Sequence, residues 1–170
     1  MHVALCLFGL GCVAYDQGEL RQAEQFQREA MAILQQQRLE SLMANTLGQL
    51  GRVLVASGEH RHAEARQHFR QALELSTKHQ LAPVALDVCV GVARLLATAE
   101  KTEQAVECLT LAEQHEASTF ETRKNARQLL RELIDQLQSE TARAAQTRGQ
   151  SVGLWAGARL LLAELAEDQQ

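Results

Sequence analysis

Two glycines and an alanine return at a single offset. Gly11, Gly18 and Ala23 recur as Gly51, Gly58 and Ala63, each forty residues on, and the surrounding runs match as well. Leu10-Gly11-Cys12-Val13-Ala14 is followed after forty residues by Leu50-Gly51-Arg52-Val53-Leu54. The chain holds only ten glycines, so two at the same offset are hard to ascribe to chance. A fixed period of this size marks an array of small supersecondary units, none able to bury its apolar face alone.

The residues between the repeated positions say what those units are made of. Leu7 to Ala30 reads as helix, tight turn, helix, with apolar or small residues at Leu7, Leu10, Gly11, Ala14, Ala23, Phe26 and Ala30. Gly18 separates the two runs and is suited to the left-handed conformation that ends a helix. Aromatic residues make up only 4% of the chain and there is one proline, which leaves little strand-forming material. An all-α fold is expected.

In order, the pattern predicts helices at about His2–Gln17, Leu20–Gln37, Leu39–Ser57 and His60–His79. The interval from Ala63 to Ala72 is two residues longer than that from Ala23 to Ala30. The fourth helix is therefore expected to be longer by about 3 Å, or bulged, near Ala65 to His68. A fifth helix opens at Pro83 and is the most apolar. Its end at Glu100 aligns with Gly58, and a sixth covers about Thr102–His115. Ser118 to Glu121 reads as a capping box opening a seventh helix to Gln138, with Phe120 inward. Ser139–Arg148 continues it or forms a short helix of its own. Gly149 is expected to break the chain, Ser151 to cap a last helix, and the tail from Glu167 to Gln170 to fray. The abrupt helical start, with no cap before Val3, suggests a fragment of a longer protein, or a piece cut at a repeat boundary.

These residues resemble tetratricopeptide (TPR) repeats. That pattern of Leu-Gly, a small residue, Ala, an aromatic and Ala appears as Leu10-Gly11, Ala14, Ala23, Phe26 and Ala30, then as Leu50-Gly51, Leu54, Ala63, Phe69 and Ala72. The period of about forty is similar to the longer-helix arrays of the MalT type. The resemblance implies a right-handed superhelical array of antiparallel helix pairs, about three in number, over residues 2–37, 39–79 and 82–115. A C-terminal helical cap would follow over 117–170. Gln104 to Glu113, a charged helix, and Trp155 to Arg159 with a leucine-rich finish look like the C-terminus of large bacterial regulators of the LuxR, SARP/AfsR and STAND ATPase types. In those the repeats form the sensor region. This implies a non-catalytic module that binds a protein or peptide segment.

In such arrays the first helix of each pair lines a concave groove. Carried over by position, the groove presents Phe8, Cys12, Tyr15 and Asp16, then Asn45, Gly48, Arg52 and Val55, then Asp87, Val90 and Arg94. Of these, Tyr15, Asp16, Asn45, Arg52, Asp87 and Arg94 carry the binding chemistry. An arginine fork and an asparagine amide suit a carboxylate or a peptide backbone. The plainer alternative is that Arg52 and Arg94 only bridge helices or pair with Asp87. A small-molecule sensor with an apolar pocket near Tyr15, Arg52 and Arg94 is a second reading, and a dimerisation arm built on the last helix a third.

Other chemistry finds little purchase. The net charge is −4, and the basic residues Arg123, Lys124, Arg127 and Arg131 are interleaved with acids, so no direct nucleic-acid contact is expected. There is no phosphate loop, no Cys-x-x-Cys pair and no converging nucleophile and base. Neither an enzyme, a metal site nor a cofactor is expected. His60, His62 and His68, and the acids Glu24 and Glu64, read as solvated helix faces. The longest uncharged stretch, at the N-terminus, is too short to cross a membrane, and the four cysteines read as free thiols of a cytoplasmic protein. Self-association through bare terminal helices is a further expectation.

Overall fold

The computed structural model describes residues 1–167, and all regular structure among them is helical. The chain forms two compact units, Met1–His79 and the residues from Gln80 onward. The residues of the tail beyond Glu167 lie outside the described part.

The first unit contains α1 (His2–Asp16), α2 (Leu20–Gln36), α3 (Glu40–Ala56) and α4 (His62–Lys78), with a single 3-10 turn at Glu59–Arg61 before α4. α1 packs on α2, α2 on α3 and α3 on α4. The turns are built alike. Gly18 ends α1 at φ +79°, its N–H bonded to the Tyr15 carbonyl (3.0 Å) and the Glu19 N–H to the Ala14 carbonyl (2.9 Å). That paired closure satisfies two carbonyls left over at the helix end. The turn after α2 repeats it at Arg38, with φ +54° and Leu39 N–H on the Leu34 carbonyl at 3.1 Å.

The two hairpins match residue by residue, with one correction to the sequence reading. α2 and α4 both have 17 residues, so α4 is not lengthened. The two additional residues are taken up before it, in the 3-10 turn, and every later position slips by two. Ala65 is therefore the counterpart of Ala23 and fully buried, whereas Ala63 is exposed. Ala23, Gln27, Ala30 and Leu34 on α2 correspond to Ala65, Phe69, Ala72 and Ser76 on α4, all buried. Gly11 faces Gln27 and Gly51 faces Phe69: a Cβ at either glycine would stand 2.5 Å from its partner's side chain. Each pair thus closes around one large side chain seated against a glycine of the preceding helix.

The second unit contains α5 (Ala82–Thr98), α6 (Thr102–Gln114), α7 (Phe120–Ile134), α8 (Ser139–Ser151) and α9 (Leu154–Glu167). α5, with Pro83 in its first turn, buries Ala85, Leu86, Val88 to Ala93, Leu95 and Leu96. The turn after it keeps the left-handed form without glycine: Glu100 has φ +59° and Lys101 N–H closes on the Leu96 carbonyl at 3.0 Å. α6 packs against α5, α7 and α8, while α5 also meets α7 and α9.

Several expectations for this half are corrected. The cap of α7 is Thr119, whose hydroxyl accepts the Thr122 N–H at 3.1 Å; Ser118 instead donates to the Ala112 carbonyl. Phe120 then becomes the first helical residue and points outward, 78% exposed. α7 stops at Ile134, and α8 is a separate helix. Gly149 does not break the chain. It lies inside α8, where a Cβ would stand 2.5 Å from the Glu107 carbonyl oxygen, so it is what allows α8 to approach α6 closely. Ser151 ends α8, its hydroxyl bonded to the Arg148 carbonyl, and does not cap α9.

Candidate functional site

On the first unit, two of the residues expected to line the groove, Tyr15 of α1 and Arg52 of α3, meet. Tyr15 lies one residue from the end of α1, and Arg52 lies in the last turns of α3. The Arg52 guanidinium carbon sits 5.3 Å from the centre of the Tyr15 ring, within the range in which a cation is drawn to a ring face. Both side chains are half-buried. The tyrosine packs, with Leu20 and Phe26, against the buried cluster of Ala14, Ala23 and Val53. Asp16, next to Tyr15, is exposed, and Asn45 lies two turns before Arg52 on α3, half-buried. The result is a cation over a ring face, with an exposed acid next to the tyrosine in the chain and an amide two turns back on α3.

The other residues expected to line the groove, Asp87 and Arg94, stand on α5 in the second unit, both half-buried. Asp87 accepts a hydrogen bond from the Thr122 hydroxyl of α7 at 3.4 Å, so part of its acceptor capacity is used within its own unit.

Sequence reading missed two features. The first is an ion-pair ring joining α2 to the start of α4. Arg28 bonds Glu24 (2.8 Å) and Glu64 (2.5 Å), and Arg61 bonds the same two acids at 2.8 and 2.7 Å. Glu24 and Glu64 are therefore not simply solvated. Arg61 belongs to the 3-10 turn, so the extra residues of the second hairpin supply this clamp. Hydrogen bonding from Arg61 holds Glu24 below the usual carboxylate range. At Glu64, partial burial pulls upward, but Arg28 and Arg61 outweigh it and hold the carboxyl at about 2. His68 is not a surface residue either: its side chain is only 18% exposed, and burial lowers its pKa. Glu24 stands four residues before Arg28 and Glu64 three after Arg61, spacings that could have signalled each local pair, but helical spacing alone does not bring α2 to α4.

The second is a cleft of about 600 Å³ among α6, α8 and α9, floored by Cys108, Leu111, Val152 and Leu161, with Leu160 66% exposed at its edge. At its mouth Arg148 is paired with Glu107 (2.5 Å) and Glu103 (3.0 Å), and Lys101 with Glu164. The small residues Gly149 and Gly157 set the helix spacing that leaves this space. Burial keeps the Cys108 thiol well above its ordinary pKa and pushes Cys89 up to about 12, so both stay protonated thiols near neutral pH. Among the described residues, no three His, Cys, Asp or Glu side chains gather as metal ligands, and no helix is long and apolar enough to cross a membrane.

Comparison with protein-family models, with curated proteins and with solved structures gives no match.

Proposed function

We propose that this chain is a non-catalytic binding module of tetratricopeptide-like helix pairs that holds a protein or peptide segment on the α1–α3 face. In this reading the pairs are antiparallel and coil into a right-handed array. The setting is the sensor or interaction region of a bacterial transcriptional or signalling regulator, by resemblance to the LuxR, SARP/AfsR and STAND types. The observation that carries it is the Arg52–Tyr15 stack. A guanidinium drawn to a ring face is restrained by that attraction, and a guanidinium can grip a carboxylate as a fork. Asn45, on the Arg52 side of α3, gives a peptide backbone a donor and an acceptor, and Asp16, next to Tyr15 in the chain, is an exposed acid.

Selection from a displayed random-peptide library tests this. Peptides enriched on the wild-type chain should carry a carboxylate at a constant position, and Arg52→Ala should weaken them about tenfold or more, as expected for a lost charge-assisted hydrogen bond. Equal binding to wild type and Arg52→Ala would place the partner elsewhere.

The apolar cleft among α6, α8 and α9 favours a second reading, a small-molecule sensor. Its volume suits a drug-sized ligand. It is lined by residues of the second unit alone, so Ala163→Trp, which would fill it, separates the two readings. That variant should abolish binding of a cleft ligand and leave the peptide response intact.

A further inference from the structure

α1 presents an apolar face that its repeat partner α3 buries. Val3, Leu10 and Val13 are 63%, 51% and 54% exposed, and Cys6 is exposed with them. They follow one another at i, i+3, i+7 and i+10, along one side of the helix. Forty residues on stand Met43, Thr46, Leu50 and Val53. Thr46, Leu50 and Val53 are 1%, 2% and 0% exposed, and Met43 is half-buried. The residues that both helices bury are another set, Ala4, Gly11 and Ala14 matching Ala44, Gly51 and Leu54. The difference between α1 and α3 is therefore largest on one face, with a smaller one at Leu7 and Phe8, half-buried where Leu47 and Gly48 are buried, and the first unit itself contains what covers the larger face on α3. It is the preceding hairpin: α2 packs along α3, and Val53 sits on Ala14 and Ala23 with Leu20 and Phe26 around it.

We propose that the outer face of α1 is a docking surface for a helical hairpin of the α1–α2 kind. The partner lays an amphipathic helix across Val3, Cys6, Leu10 and Val13, as α2 lies across α3. Its contact strip carries alanines at the closest approach and leucine or an aromatic on either side. No Asp, Glu, Lys or Arg occurs from Met1 to Tyr15, so the partner strip is uncharged and the contact gains nothing from electrostatic steering. This surface is distinct from the Tyr15–Arg52 site, and it stands or falls without it.

The test adds one hairpin to the intact chain. Residues 1–40 are duplicated in front of Met1, the added copy carrying Cys6→Ser and Cys12→Ser so that only the resident thiols report. Alkylation of the resident Cys6 should slow by about tenfold or more relative to the unduplicated chain, because a docked helix must open before the thiol reacts. Helicity should rise in proportion to the added residues. Leu10→Asp in the resident copy should abolish the protection. In the unduplicated chain the same change should leave the melting transition intact, since Leu10 is exposed there. Unchanged Cys6 reactivity, or an added copy that stays unfolded, overturns the proposal. So does concentration-dependent protection of Cys6 in the unduplicated chain, which would make the occupant a second copy of this protein.

Discussion

A Cβ on Gly51 would stand 2.5 Å from the Phe69 ring, whereas one on Gly9 would meet nothing within 4 Å. The two glycines lie inside equally regular helices, so they separate close packing from backbone propensity. Gly51→Ala should destabilise by about 1–3 kcal/mol through overpacking, because Phe69 is fully buried and has nowhere to go. Gly9→Ala should stabilise by about 0.5–1 kcal/mol, the ordinary preference for alanine in a helix. Denaturant titration of both variants checks the pair, and equal effects would contradict the packing account. The forty-residue recurrence singles out Gly51 in the sequence. It did not reveal that Gly11 meets a glutamine, since the recurring aromatic pattern drew attention to Phe26 instead. Gln27 is completely buried, and its amide donates to the Phe8 carbonyl at 3.2 Å. Residue type at this position varies between the two hairpins while its geometry does not.

The elements owe their spacing to turns and clamps that are only partly visible in sequence. Gly18 was readable as a left-handed residue; Arg38, Gln80 and Glu100 adopt the same conformation with side chains that make it costly. At Arg38 and Glu100 the two closing hydrogen bonds offset that cost, and no sequence rule based on glycine finds such turns. Glu100→Gly should therefore raise stability by about 0.5–1 kcal/mol, net of the extra freedom glycine gives the unfolded chain, as a thermal or denaturant midpoint would show. The slip of two residues before α4 escaped for a related reason: a 3-10 turn absorbs an insertion without altering the helical pattern that follows. The ion-pair ring that this turn completes gives the first unit an acid limb. Glu24 and Glu64 both titrate lower in the folded chain than in the unfolded one. Their contribution is complete above the unfolded carboxylate pKa of about 4.3 and is lost as pH falls towards about 2, where Glu64 takes up its proton. His68, also depressed, adds a loss that begins as pH falls below about 6.5. Solvent reaches both acids, so the ring is worth about 1 kcal/mol. Glu24→Gln with Glu64→Gln should flatten the pH dependence of the melting midpoint between about pH 5 and 2, and an unchanged slope would show the ring to be idle.

For the molecule as a whole, the helical class and the order of its elements were legible from periodicity, because a period of 3.6 residues and a repeat of forty leave little else to build. The second unit was less so. Its first two helices were expected as a third repeat pair and the rest, over 117–170, as a helical cap; α8 lies on α6 and α9 on α5, with Gly149 acting as a contact residue where glycine ordinarily signals a break. Candidate groove residues were legible as positions on first helices, and Tyr15 and Arg52 are brought together. The bond from Thr122 to Asp87 was not legible, for it depends on where α7 packs. The central claim, that the α1–α3 face receives a peptide, is tested most directly by recording backbone amide spectra of the whole chain with and without a peptide selected on it. The account predicts perturbed resonances centred on Tyr15, Asp16, Asn45 and Arg52. Perturbation centred instead on Cys108, Leu111 and Leu161 would contradict it and assign binding to the cleft of the second unit.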